Sequence, residues 1–191
     1  MNPTSKRTPV YFVIFSRTVN VSPNRAKCRS RIVSPVTGDI TPLKQVDAGF
    51  ACMTADKNGN LYLGNSVRGS IYFYDTSAGA LRLFAGADDH IKFVDGPNPM
   101  FFEPRQLVYR DDALYVLDYN LFRRITINSA DMPIAAETLA GKITADPRPT
   151  TQNGKASDAE IARNNLMVFV VTGGGGLAFS DPHWAVIRVV K

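Results

Sequence analysis

The sequence predicts an all-β fold, a partial or open β-propeller of four-stranded antiparallel blades. Three observations carry that prediction. A short apolar segment ending on Asn or Asp recurs as Leu61-Tyr-Leu-Gly-Asn65, Leu114-Tyr-Val-Leu-Asp118 and Leu177-Ala-Phe-Ser-Asp181, at spacings of 53 and 63 residues. Each copy follows a turn (56–60, 110–113, 173–176) and an earlier apolar stretch, and each precedes a further strand-like segment. Fourteen glycines and 12 prolines in 191 residues supply the turns that many short strands need. Short strands in groups of four, repeated every roughly 50 residues, read as propeller blades, whose apolar faces are buried only against neighbouring blades.

Along the chain, residues 1–9 read as a basic tail, and 10–46, 47–86, 87–141 and 142–191 as successive blades. In the first, 11–16, 29–33 and 39–43 read as second, third and fourth strands, with a longer loop around 21–24. The second takes 50–55, 61–65, 70–74 and 81–86, and the third takes 106–109, 114–118, 123–127 and 137–141. These two close on the matched pairs Ala85-Gly86 and Ala140-Gly141, 55 residues apart. The last has three strands, 166–172, 177–181 and 185–190. Its four glycines, 173–176, lack the following Gly-Lys-Ser/Thr of a phosphate loop and read as a hairpin turn. Ser157-Asp-Ala-Glu160 matches a capping box, so a short helical turn capped by Ser157 is expected. On this reading the chain begins and ends inside a blade, as a fragment or an open arc would. Exposed strand edges then favour self-association, above all at 185–190, where Arg188 is the one charge among Val and Ile.

The order Phe84-Ala-Gly86, Asp95-Gly96, Phe102-Glu-Pro104, Leu107, Leu114-Tyr-Val-Leu-Asp118, Phe122-Arg-Arg-Ile125 resembles the NHL repeat. The following unit keeps Leu139-Ala-Gly141, Asn153-Gly154 and Val186-Ile-Arg188, but residues 159–165 replace Phe-x-x-Pro. The preceding unit keeps Asn58-Gly-Asn-Leu-Tyr62 and lacks the Asp-Gly loop. The resemblance covers 29–190. It implies a non-catalytic scaffold whose loops bind a macromolecule, foremost a protein, with no cofactor. Two alternatives travel with it: part of a divalent-cation-dependent lactonase-like or amidating-lyase-like enzyme, and an RNA-binding module.

The residues constrain those readings. Apolar residues are 45% and charged residues 20%, a globular composition. No apolar run approaches the roughly 18 residues of a membrane-spanning helix, and no secretory leader is visible, a weak pointer to the cytoplasm. The net charge of +5 is uneven: residues 1–38 hold Lys6, Arg7, Arg17, Arg25, Lys27, Arg29 and Arg31 and no acid. That segment is where RNA would dock. Asn65, Asp118 and Asp181, with Ser16, end second strands and would converge near a central channel, where oxygen ligands could hold a divalent cation. Capping of backbone N–H groups at the strand exit is the simpler expectation. His90 and His183 are two isolated loop histidines, and no Gly-x-Ser-x-Gly elbow is present. Cys28 and Cys52 read as plain thiols. Arg31, Arg68, Arg105, Arg123, Arg124 and Arg188 with Tyr62, Tyr72, Tyr74 and Tyr119 could line a basic aromatic face, although pairing of the arginines with nearby acids is the simpler expectation. The binding face is expected at Arg68, Tyr119, Arg123, His183 and Trp184.

Overall fold

The computed structural model describes residues 12–17, 28–33, 40–42, 50–143, 154–161, 168–181 and 185–190, the first three segments as backbone only. Four antiparallel sheets follow one another. The first comprises β1 (Phe12–Arg17), β2 (Cys28–Val33) and β3 (Ile40–Pro42). The second comprises β4 (Phe50–Ala55), β5 (Leu61–Asn65), β6 (Ser70–Asp75) and β7 (Ala80–Gly86). The third holds β8 (Pro104–Arg110), β9 (Ala113–Asp118), β10 (Leu121–Ile127) and β11 (Pro133–Ala140), and the fourth β12 (Phe169–Val171), β13 (Leu177–Asp181) and β14 (Val186–Val190). In every sheet the strands lie side by side in chain order. Thus β5, β9 and β13, the three copies of the repeated segment, are each the second strand of their sheet.

The turns follow from local chemistry. Between β4 and β5, Asp56 Oδ1 accepts from the N–H groups of Asn58 (2.7 Å) and Asn60 (2.9 Å). Between β8 and β9, Asp111 and Asp112 both take positive φ, 51° and 53°, as a two-residue type I′ hairpin requires. The matched Ala-Gly pairs share one cause. Gly86 (φ +83°) lies where a Cβ would stand 2.6 Å from the Gly69 carbonyl, and Gly141 (φ +100°) where it would strike the Asn120 carbonyl. In both sheets the end of the fourth strand passes against the turn between the second and third, and only glycine fits.

Alternation along β9 builds two cores. Leu114 and Val116 join Cys52, Tyr62, Ile71, Phe73 and Phe84 between the second and third sheets. Tyr115 and Leu117 join Phe122, Phe169, Leu177 and Phe179 between the third and fourth. All six residues of β9 are buried, because a sheet lies against each of its faces. Each large apolar side chain so buried contributes about 1.5–3 kcal/mol. Gly64 keeps the first of these interfaces close: a Cβ there would meet Cys52 Sγ at 2.5 Å and the Pro104 carbonyl at 3.3 Å.

One local expectation fails. A 3-10 turn does form at Ala156–Asp158, but its N-cap is Lys155 and no side chain caps it. Ser157 Oγ turns instead to Asp158 Oδ1 at 3.3 Å, the competition that short polar side chains offer a backbone. Among the described residues no helix is long and apolar enough to cross a membrane.

Candidate functional site

The end of the sheets where second strands turn into third strands carries the richest chemistry. Here β9 ends on Asp118, which is fully buried. Its Oδ1 accepts from the backbone N–H of Phe102 (2.9 Å) and of Glu103 (2.7 Å), and its Oδ2 accepts from Arg123 Nη1 on β10 (2.9 Å). Burial pushes the Asp118 carboxyl up, and these donors oppose it. Arg123 spends its other N–H groups on Asp95 Oδ1 (2.7 Å), the Met100 carbonyl (2.7 Å) and the Val94 carbonyl, with its guanidinium 4.5 Å from the centre of the Phe101 ring. Asp95 Oδ2 accepts from Thr138 N–H at 2.9 Å, so the 94–103 loop is pinned to β11 as well.

This frame presents three aromatic rings. Phe93 stacks on Phe102 with centroids 5.0 Å apart, and Tyr119 meets Phe102 edge-on at 5.0 Å. Tyr119 sits at φ +59°, and its N–H donates to the Glu103 carbonyl at 3.1 Å. A large residue in the left-handed region is uncommon and recurs at functional positions. Beside Phe93 opens a recess of about 290 Å³ with Leu121 and Ile143 as apolar wall and Asp95, Thr138 and Lys142 as polar rim. Arg123 forms part of its floor.

The expected site residues fare differently. Asn65 caps its own turn, with Oδ1 accepting from Val67 N–H (3.2 Å) and Arg68 N–H (3.1 Å). Asp181 pairs with Arg188 at 3.4 Å, repeating in the fourth sheet the Asp118–Arg123 arrangement of the third. Ser16 lies in a strand described as backbone only. Among the described residues no three His, Cys, Asp or Glu side chains gather as a metal site. Cys52 is buried, donates to the Pro104 carbonyl at 3.5 Å and has its pKa pushed up to about 12 by burial, so its thiol is inert.

Of the expected binding face, Tyr119 is half-buried beside the recess. Arg68 pairs with Asp88 at 2.9 Å, and Arg123 is 1% exposed, showing only at the floor of the recess. His183 and Trp184 lie outside the described residues. Among the described residues no broad basic aromatic face forms: Tyr62 is buried among Phe73, Phe84 and Tyr109, while Arg105 and Arg124 pair with Glu103 and Glu137. Phe93 was not expected at the site. In Phe101-Phe-Glu-Pro104 the first Phe fills the core under Arg123 and the second is turned outward, so Phe101 and not Phe102 fits the Phe-x-x-Pro pattern.

No protein-family model and no curated protein sequence matches this chain. Solved structures do resemble it. An auxiliary nutrient binding protein from Bacteroides thetaiotaomicron is 17% identical, with a TM-score of 0.63 over 85% of this chain and 43% of its own. An auxiliary nutrient binding protein from Bacteroides ovatus is 14% identical, with a TM-score of 0.64 over 88% of this chain and 46% of its own. A Bacteroides thetaiotaomicron protein of unknown function is 18% identical, with a TM-score of 0.63 over 84% of this chain and 41% of its own. The chain thus spans less than half the length of these relatives. They are β-propeller proteins, and the likeness establishes the all-β propeller fold of its blades.

Proposed function

We propose that this chain is a binding module with NHL-type blades that holds a protein partner at the Phe93–Phe102–Tyr119 face without catalysing a reaction. The observation that carries the reading is the division of labour in the 94–103 loop. Asp95 is consumed in holding Arg123 and the Thr138 N–H, and Phe101 fills the core, while Phe102 is turned outward against the half-buried rings of Phe93 and Tyr119. Exposed aromatic clusters around a recess are the usual anchors of protein recognition. The recess, at about 290 Å³, is at or below the roughly 300–1,000 Å³ of small-molecule sites and suits a single inserted side chain. The NHL-type reading is supported by the roles of its signature residues, since Asp95, Phe101, Asp118 and Arg123 form one bonded unit. A binding role also accords with the two relatives described as auxiliary nutrient binding proteins.

Selection of a displayed peptide library on the purified chain tests the reading. Peptides should be enriched that bind the chain and lose at least about tenfold in affinity on Tyr119→Ala or Phe102→Ala with thermal stability unchanged. Hydrolysis of a lactone panel dependent on added calcium or zinc would favour the enzyme reading instead. Binding of homopolymeric RNA that weakens steeply with salt would favour the nucleic-acid reading.

A further inference from the structure

The recess beside Phe93 carries two cations whose donors are largely committed. Arg123 lies in its floor and Lys142 on its rim. Each of the five N–H groups of Arg123 has an acceptor. Nε and Nη2 donate to Asp95 Oδ1, Nη2 also to the Val94 carbonyl, and Nη1 to the Met100 carbonyl and to Asp118 Oδ2. Lys142 Nζ lies 2.9 Å from Glu160 Oε1. An incoming anion therefore finds no spare donor on the floor guanidinium.

Asp95, on the same rim, is in the opposite condition. A carboxylate oxygen offers about two acceptor positions. Those of Oδ1 are filled by Arg123 Nε at 3.1 Å and Nη2 at 2.7 Å. Oδ2 takes a single bond, from the Thr138 N–H at 2.9 Å. Among the described residues this leaves one acceptor position, on a side chain that is 43% exposed and held from two directions. The exposed side chain of Thr138 adds a hydroxyl to the same rim.

We propose that this recess takes a lysine side chain of the protein partner, an inference that rests on the reading of this face as a protein-binding site. The lysine stem packs against Leu121, Ile143 and the Phe93 ring, and its ammonium donates to Asp95 Oδ2. Arginine fits less well: its planar fork bonds best to both oxygens of a carboxylate at once, and Oδ1 is full. An acidic side chain would set its own carboxylate against Asp95. A neutral aliphatic one would cover Asp95 without giving it a donor. The Phe93 ring in the wall also favours a cation over an apolar end group.

Titration of the purified chain with Nα-acetyl-lysine methylamide, followed by NMR of the backbone amides, tests the site without a known partner. Binding in the millimolar range is expected, with the largest shifts at Leu121, Thr138 and Lys142. The Nε-acetylated probe should bind at least about tenfold more weakly, and the arginine counterpart at least about threefold. Asp95→Asn keeps an oxygen for Arg123, removes the charge, and should weaken the lysine probe at least about tenfold. If that variant does not fold, the acetylated probe removes the same ion pair from the ligand side. Equal or tighter binding of the arginine or glutamate counterpart overturns the proposal, as does the absence of any shift at the recess. Peptides selected on the chain should anchor through a lysine. Selected peptides that still bind after norleucine replaces every lysine keep the partner reading and overturn this one. A failed selection with the lysine probe still bound sinks the partner reading alone and leaves lysine as the ligand of the recess.

Discussion

Arg123 reaches across from β10 to Asp118 at 2.9 Å, and the two side chains are 1% and 0% exposed. Removing one member of such a pair strands the other charge away from water, at a cost of about 3–5 kcal/mol. Arg123→Met and Asp118→Ala should each lower the free energy of urea unfolding by that order. The double variant should lose less than the sum, because the second change removes the charge that the first left alone. Additive losses would mean that the two residues act separately.

Gly141 and Gly173 separate two kinds of glycine. Gly141→Ala forces a Cβ into the Asn120 carbonyl at φ +100°, and a loss of more than about 1 kcal/mol is expected. Gly173 has nothing within 4 Å of its Cβ position, so Gly173→Ala should stay within about 0.5 kcal/mol. Thermal unfolding of the two variants measures the contrast, and equal effects would refute the close approach.

Asp88 accepts from Ser70 Oγ (2.6 Å), Tyr72 Oη (2.5 Å) and Arg68 Nη1 (2.9 Å). Burial raises its pKa, and these three donors outweigh burial and hold it below the ordinary aspartate value. The folded state therefore binds the proton less readily than the unfolded chain. The stabilisation is present above the unfolded pKa of about 3.9 and is lost as pH falls through the lower folded value. Urea unfolding between about pH 5 and 2.5 should show the parent chain losing more stability than Asp88→Asn. Parallel pH profiles would show that Asp88 carries no such linkage.

Tyr62 has a buried hydroxyl with no hydrogen-bond partner and a ring between Phe73, Phe84 and Tyr109. An unsatisfied buried hydroxyl costs about 1–3 kcal/mol, while the ring packs whether or not the oxygen is there. Tyr62→Phe should leave stability unchanged or raise it in thermal unfolding. A loss above about 1 kcal/mol would mean that the hydroxyl has a partner in solution.

The sheets were legible because β5, β9 and β13 repeat one alternation, and because Gly86 and Gly141 meet the same steric demand at the same place. The site was legible only in pieces. Asp118 and Arg123 stand out in the sequence, but the burial of Arg123 depends on Asp95, 28 residues away, and on two loop carbonyls. No periodicity announces such contacts. Adjacent phenylalanines cannot declare which is core: Phe101 and Phe102 part because Asp118 fixes the backbone between them. Ser157 missed its capping role because a neighbouring carboxylate competed for its hydroxyl. The Phe93–Phe102 stack joins two ends of one irregular loop, and only Tyr119, at the strand exit, was visible beforehand.

The bonds from Asp118 and Arg123 into the 94–103 loop end on the N–H groups of Phe102 and Glu103, the carbonyls of Val94 and Met100, and the carboxylate of Asp95. Apart from Asp95, they grip main chain alone. The identities of the outward side chains at 93, 97, 98 and 102 are therefore uncoupled from the scaffold that carries them. Such a loop can be rewritten for a new target at little risk to folding, as an antibody's variable loops are, and positions 93, 97, 98 and 102 are where this chain could be diversified first, with Asp95 and Phe101 kept.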